Sequence, residues 1–480
     1  MPRPVFLPTY TLPDPAHPET MPVQIYRDLL RAIRAGQIAS GTKLPSSRKA
    51  ADMLGVSRST INDAYDLLRA EGVLHVNAGA APEIVALQTG VKQQSIARNV
   101  MISHRGVTLA SDVRSPGYAV SKGRMSPGVP DETLFPAAEW GQILRRVARQ
   151  RHGDVCGYDE PFGIASLREC LAERLFSDRG VSVSSEQILI TTGTQASLAL
   201  IAQLLTDPGE CAALEDPAYP GARTAFLGAG LKLAPVPVDE EGMIPEMVPE
   251  KARLIYLTPS NQYPLGTRLS FARRMQILEK ARQTGVLVLE DDYDSEFLWR
   301  GREIAALAAY AQQDEVIYVG SAAKTLMPAL RVGWMAVPPS LVAPLRIALR
   351  NLGMMAGLHA QLALAEAMRT GLYRAQLRRI AKTYEARGNA LYHALTTLPD
   401  VRVRPPDGGV QLAVTFMRSG LENAAMGALA RKGFRPARLS ALCLAEKREG
   451  LVVGFADATD ANIQSFREIM QRVLEQSGAR

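Results

Sequence analysis

Five short runs rich in branched aliphatic residues fall between residues 187 and 321: QILITTG at 187–193, CAALEDP at 211–217, RLIYLTP at 253–259, VLVLEDD at 286–292 and VIYVGS at 316–321. Longer helical patterns separate them. This alternation constrains the fold more than any other feature of the chain. Strands separated by helices pair side by side in a mostly parallel sheet, so the chain from Ser126 onward reads as an α/β domain. Such sheets bind ligands at the carboxyl ends of their strands. The runs here end in or beside glycine, acidic or hydroxyl residues, so the candidate functional residues belong there.

The last run leads into Tyr318-Val-Gly-Ser-Ala-Ala-Lys-Thr-Leu-Met-Pro-Ala-Leu-Arg-Val-Gly-Trp334. Lys324 lies just past the apolar stretch, with Ser321 before it and Arg331 after it. A lysine amine condenses with a carbonyl as a Schiff base. A hydroxyl and a forked guanidinium hold a phosphate. The trio suits a ligand with both groups; the plainer alternative is a buried lysine at a strand end beside a surface arginine. Three other strand ends add to it. Gly193-Thr194-Gln195-Ala196 turns into a helix whose first N–H groups suit a phosphate. Asp216-Pro-Ala-Tyr219-Pro-Gly221 offers an aromatic face for a flat ring. Glu290-Asp291-Asp292-Tyr293-Asp294-Ser295-Glu296-Phe297 crowds acids together. They cannot all be structural ion pairs, and one buried carboxylate facing a pyridine nitrogen would keep it protonated. A solvated loop is the plainer reading of that run.

Taken in order, these parts resemble the site of fold-type-I pyridoxal-phosphate (PLP) enzymes of the aminotransferase branch, over residues 126–480. The resemblance implies PLP as cofactor, with Lys324 as the Schiff-base residue. It places the phosphate on Thr194, Gln195, Ser321 and Arg331. Tyr219 would stack on the ring, Asp291 would meet its nitrogen and Tyr293 its hydroxyl. Two departures stand out. Aminotransferases carry an Asn-Pro-x-Gly turn, whereas TPSNQYPLG puts Tyr263 at the asparagine, leaving Asn261 or Gln262 to substitute; Asn261 is taken as the cofactor contact. Aminotransferases also carry an arginine in the strand corresponding to Gly450–Phe455 that clamps the substrate carboxylate. Val452 stands there. A fork that fixes the carboxylate supplies both binding and orientation, so its absence weighs against ordinary amino-acid turnover. Arg435 and Arg438 are the candidate replacements, with plain surface placement as the alternative for each.

The first ninety residues are organised differently. Ile25, Leu29 and Ile33 recur at helical spacing, and Gly36 ends that helix. Pro45-Ser46-Ser47 opens a second helix with Ala50, Ala51 and Leu54 inward, and Gly55 stops it. Ser57 caps a third over Arg58 to Ala70, with Ile61, Ala64, Tyr65 and Leu68 inward. Two short helices joined by a tight glycine turn form a helix-turn-helix, whose second helix meets a major groove N-terminus first. Val73–Val76 and Ile84–Val85 read as two short strands of a wing. The text SGTKLPSSRKAADMLGVSRSTINDAYDLLRAEG resembles the winged helix-turn-helix of GntR-type bacterial regulators. It implies DNA contacts from Arg48, Arg58, Ser59 and Thr60, with Ser57 beside them. The wing tip departs from the family: Ala78-Gly79-Ala80-Ala81 replaces its Gly-Ser-Gly-Thr-like sequence.

Charge supports a polyanion partner for the front of the chain. The net charge is +7. Pro22–Lys49 carries six bases (Arg27, Arg31, Arg34, Lys43, Arg48, Lys49) against Asp28, and Ala86–Met125 carries six (Lys92, Arg98, Arg105, Arg114, Lys122, Arg124) against Asp112. Those two segments hold +10, so the remainder is slightly acidic. Ala86–Met125 lacks clear periodicity and reads as a linker with at most a short element; it lies along phosphates or is a plain tether. The resulting organisation is a winged helix-turn-helix domain over 20–88, a linker over 89–125 and an aminotransferase-like domain over 126–480. Cys156, Cys170, Cys211 and Cys443 are scattered, with no zinc spacing, and read as packing residues of a reducing compartment. No apolar run reaches the roughly 18 residues of a membrane span, and Met1–Pro18 has no signal-peptide core, so a cytoplasmic chain without a metal site is expected.

The fold class is multidomain: an N-terminal α+β winged helix-turn-helix and a C-terminal α/β fold-type-I aminotransferase-like domain. Together they resemble the MocR/GabR group of bacterial transcriptional regulators. That implies a cytoplasmic head-to-tail homodimer that binds promoter half-sites in double-stranded DNA. Its effector would be PLP, an amine or an amino acid, sensed through an internal aldimine. Two rival readings stay open: an active aminotransferase with an accessory DNA-binding domain, and a regulator for which PLP alone is the signal.

Overall fold

The computed structural model describes residues 12–76, 80–85, 101–110, 123–149, 162–299, 305–312 and 314–478. Two compact units divide between Met101 and Ile102, inside the segment read as a linker. Of that segment, residues 86–100 and 111–122 lie outside the described residues, as do Cys156 and wing residues 77–79.

In the first unit the apolar stripe of helix Met21–Arg34 buries Ile25, Leu29, Leu30, Ala32 and Ile33. Helix Ser47–Leu54 is capped by Ser46, which accepts from Lys49 N, and ends at Gly55 with φ of 63°. That left-handed turn is why glycine stands between the two helices. Ser57 then accepts from Thr60 N at 3.1 Å and starts helix Arg58–Ala70. Ile61, Ala64 and Leu68 are fully buried, and Tyr65 reaches back to donate to Pro45 O. The first wing strand is shorter than the sequence suggests and the second lies one residue earlier: Leu74–His75 pairs antiparallel with Glu83–Ile84, and Lys43 bridges Glu83. We expect Ile61→Ala to cost about 2–5 kcal/mol through lost burial and the cavity left behind. In far-UV circular dichroism, the unfolding transition of this unit would then move to lower urea. An unchanged midpoint would mean that Ile61 is not at the centre of this core.

In the second unit, all five runs form strands. Among the described residues they belong to an eight-stranded sheet, ordered Ile188–Thr191, Gly333–Ala336, Val316–Ser321, Leu287–Asp292, Ala252–Leu257, Cys211–Asp216, Lys232–Asp239 and Gly242–Met243. The central pairings are parallel. Gly333–Ala336 is antiparallel to both neighbours, and its register sets Gly333 beside Thr191 and Ser321. Apolar residues fill both faces of the central strands, which is why they read as continuous apolar runs rather than alternating ones. A second, four-stranded antiparallel sheet carries Val401–Val403, Gln411–Phe416, Gly450–Gly454 and Ala437–Arg438. It shares one core with the helices Leu372–Thr396, Leu421–Arg431 and Asp460–Gly478. A short helix, His104–Ala110, occupies part of the expected linker and rests its Leu109 on Gly228 of helix Pro220–Ala229. Among the described residues no helix is long and apolar enough to cross a membrane.

Candidate functional site

The carboxyl ends of four parallel strands and the first turn of helix Thr194–Leu205 surround a cavity of about 150 Å³. Thr194, Gln195, Tyr219, Asp291, Tyr293, Ser321, Lys324 and Arg331 all line it. Asn261 does not. Its amide donates to Asp294 Oδ2 at 2.7 Å and reaches the Tyr293 hydroxyl only at 3.4 Å, so it supports the wall from behind.

Packing decides how the acids of 290–296 differ. Glu290 accepts from Leu307 N and Ala308 N at 2.8 Å each. Asp292 pairs with Arg179 at 2.9 Å and accepts from the Tyr318 hydroxyl. Glu296 takes Arg174 and Tyr373. Asp294 takes Asn261. Asp291 is left with a single bond, from the Tyr256 hydroxyl at 2.7 Å to Oδ2, and its buried Oδ1 has no partner. The run is therefore buried rather than a solvated loop, and its one bare carboxylate oxygen lies at the residue expected to face a ring nitrogen.

Burial pushes the Asp291 carboxyl up to about 7 and the Asp294 carboxyl up to about 8, and both oppose the loss of charge on Lys324. Desolvation still lowers the Lys324 amine below its ordinary value. A lysine held this way gives up its proton more readily and is the better nucleophile. Its Nζ donates to Gly128 O at 2.6 Å. Burial also raises Glu215 to about 7. These carboxyls keep a proton in the folded protein at pH values where the unfolded chain has released it. Stability is therefore whole below their unfolded pKa values and falls as pH rises through the folded ones. The melting temperature of the ligand-free protein should fall between about pH 5 and 8, and Asp294→Asn should flatten part of that slope. Groups held low, such as Glu186 at about 2, act below this window, and Lys324 acts with the opposite sign toward alkaline pH. A melting temperature that is level or rises across the window would refute this.

The anion side of the cavity is built from backbone and one guanidinium. Gly193 has φ of 120° and caps the helix, with the Thr191 hydroxyl bonded to both Gly193 O and Ser197 Oγ. A Cβ on Gly193 would lie 3.9 Å from Arg331 Nη1, and a Cβ on Gly333 would meet Gly193 Cα at 2.7 Å. The turn is thus seated between Arg331 and the antiparallel strand. Ser321 accepts from Ala323 N at 3.1 Å. The aromatic wall is a chain of three tyrosines packed edge to face, Tyr219 on Tyr263 at 5.5 Å and Tyr263 on Tyr293 at 6.0 Å.

Gly128, Tyr256 and Gln411 are among the lining residues that escaped the sequence reading. Gly128 sits in a Ser-Pro-Gly turn, Tyr256 inside an apolar run, and Gln411 at the start of a strand of the second sheet. Only the turn signal of Ser126-Pro-Gly128 hinted at any of them. The candidate carboxylate clamps are placed elsewhere. Arg435 donates to Ala430 O and Phe434 O at 3.0 Å each, and Arg438 pairs with Glu422 and donates to Asn423. Val452 is fully buried in an apolar cluster with Tyr263 and Leu439.

Comparisons with known proteins agree with this geometry. Residues 125–453 match the family described as aminotransferase class I and II, and residues 22–84 match bacterial regulatory proteins of the gntR family. The chain is 34% identical over 469 residues to "Probable rhizopine catabolism regulatory protein MocR" of Rhizobium meliloti, covering 95% of this chain and 94% of that protein. It is 29% identical over 402 residues to the HTH-type pyridoxine biosynthesis transcriptional regulator PdxR of Corynebacterium glutamicum, covering 83% of each. Among solved structures, a kynurenine aminotransferase of Pyrococcus horikoshii superposes with a TM-score of 0.70 at 25% identity, over 77% of this chain and 95% of that one. LysN, an α-aminoadipate aminotransferase of Thermus thermophilus complexed with N-(5'-phosphopyridoxyl)-L-leucine, gives 0.71 at 25% identity, over 78% and 98%.

Proposed function

Because this chain belongs to the MocR-type transcriptional regulators, in which a GntR-family DNA-binding domain is joined to a class I and II aminotransferase domain, we propose that its large domain binds PLP and reports that occupancy to the DNA-binding domain. The observation that carries this is the bare, buried Oδ1 of Asp291 in the same cavity as Lys324 and Arg331. A pyridinium N–H is the donor that oxygen lacks. The residues present fit the cofactor in charge and in chemical type.

When bound, PLP supplies an aldehyde and an electron-withdrawing ring. The protein's own groups do the rest. Arg331 and the Gly193 turn, with Thr194, Gln195 and Ser321, hold the phosphate dianion through charge and N–H donors. Asp291, backed by Tyr256, keeps the ring nitrogen protonated. Tyr219 and Tyr293 fix the ring between aromatic and hydroxyl contacts. Lys324 would supply the amine for the aldehyde, and its Nζ lies 2.6 Å from Gly128 O. That contact matters for signalling, because Gly128 follows the expected linker. The same stretch is pinned by Met125 N on Asp457 and by Arg124 N on Gly433 O. A Lys324–Gly128 contact that changed with PLP would be the differential interaction that a ligand-driven switch requires.

The reading extends to a cytoplasmic homodimer whose DNA-binding domains engage two promoter half-sites through Arg48, Ser57, Arg58, Ser59 and Thr60. Regulation is favoured over turnover because Val452 occupies the place of the carboxylate-clamping arginine. The test is a titration of the protein's own upstream DNA with and without PLP, alongside a steady-state assay with amino donors. The expected result is salt-sensitive DNA binding that changes with PLP and little sustained turnover. Sustained transamination with DNA binding indifferent to PLP would establish the enzyme reading instead.

A further inference from the structure

Gln411 opens the strand Gln411–Phe416, is 7% exposed and borders the cavity that holds Lys324 and Asp291. Neither its Oε1 nor its Nε2 has a hydrogen-bond partner. A buried amide left in this way is costly, and a fold keeps one where a ligand completes it. Its backbone position is fixed by pairing with Gly454, where any side chain would strike Ser126 O at 2.1 Å. The side chain is therefore held at the cavity by two rigid strands.

The charged groups around it are otherwise engaged. On the PLP reading above, Arg331 serves the phosphate, Lys324 the aldehyde and Asp291 the ring nitrogen. Among the described residues lining the cavity, Lys324 and Arg331 are the cations. Arg435 and Arg438 are bonded elsewhere, and Val452 is in an apolar cluster. A carboxylate arriving beside Gln411 would find no cation to replace its water. An amide offers both a donor and an acceptor with no charge.

We infer that Gln411 is the residue that selects the effector, its amide taking an uncharged donor–acceptor group, a hydroxyl or a carboxamide, on a primary amine that lacks a carboxylate. The inference rests on the PLP reading and deepens it. Specificity of this kind comes from leaving a buried polar atom unpaired when the wrong ligand binds.

The experiment uses the full chain loaded with PLP and two matched sets of amines. One is 3-aminopropanol, β-alaninamide, β-alanine and propylamine; the other is ethanolamine, glycinamide, glycine and ethylamine. Dissociation constants are read from the shift in the visible spectrum and, independently, from the change in affinity for upstream DNA. The wild-type chain should favour the hydroxyl or carboxamide member of a set over its carboxylate and alkyl members by about tenfold or more. Gln411→Leu should erase the preference over the alkyl amine, and Gln411→Arg should turn the preference toward the carboxylate. A wild-type preference for the amino acids overturns the inference. So does an equal response, or none, across both sets, or a ratio that Gln411→Leu leaves in place. The PLP band is recorded on each protein first. A wild-type chain with no Lys324-dependent band defeats the PLP reading itself, whereas a normal band with indifferent amine ratios defeats only the role of Gln411.

Discussion

Lys324→Ala abolishes the Lys324-dependent band of the PLP-loaded protein, leaving the absorbance of the free aldehyde, and makes DNA binding indifferent to PLP. The amine of Lys324 is the group in the cavity placed to engage an aldehyde covalently, and burial lowers its pKa toward the reactive neutral form. Arg331, the Gly193 turn and Asp291 remain in the variant, so PLP still binds, but more weakly. The expected loss is on the order of a hundredfold in affinity, about 2.7 kcal/mol. The variant also removes the positive charge that opposes the upward shifts of Asp291 and Asp294, so those carboxyls hold their protons to higher pH. Lys324→Arg separates the two effects. It keeps a cation near both carboxyls and still loses the Lys324-dependent band. Absorbance titration and DNA binding on the three proteins check this, and a retained band in either variant would falsify the assignment of Lys324.

The second large effect is expected on the DNA side. Arg58→Ala lowers affinity for the operator by about 1–3 kcal/mol if the side chain reads a base edge in the major groove. Arg58 is the first residue of helix Arg58–Ala70 and is exposed; its Nε lies 3.4 Å from Ser47 Oγ, a weak intramolecular tie. The cap is made by Ser57, so the helix does not depend on Arg58, and the melting temperature should hardly move. Ser57→Ala should do the reverse at the structural level, costing about 1 kcal/mol of helix stability with a secondary loss of binding. Salt dependence separates the modes of contact. A base-reading Arg58 relaxes sequence preference when removed, whereas a phosphate contact weakens all sequences alike and lowers the salt slope by about one. Unchanged affinity on the specific site for Arg58→Ala would mean that this helix end is not the DNA-reading surface.

Much of the large domain is legible in the chain because its parallel strands are buried on both faces. Each then appears as a short apolar run, and each ends where a polar residue reaches the cavity. Lys324, Ser321, Tyr219 and the Gly193 turn were found that way. The first three helices are legible for a different reason: caps at Ser46 and Ser57 and the left-handed Gly55 are local devices whose signals lie within a few residues. Gly333–Ala336 was not separable from the motif it continues, because nothing local says that a strand will run antiparallel between two others.

The order of amino acids was enough to show which residue types could hold an aldehyde, a phosphate and a ring nitrogen, and that a groove-reading helix precedes them. Those follow from local pattern, where spacing along the chain stands for spacing in the fold. Which of several neighbouring acids stays free was settled in the packed fold alone. Glu290, Asp292, Asp294 and Glu296 are each satisfied by partners distant in sequence, and Asp291 Oδ1 is not. Only tertiary packing, likewise, could set Gly128 against Lys324 and bring Gln411, unpartnered, to the same cavity. The physical reason is that hydrogen-bond satisfaction is a property of the packed whole. A side chain's type is written in the sequence, but whether a partner remains for it depends on elements that meet only when the chain has folded.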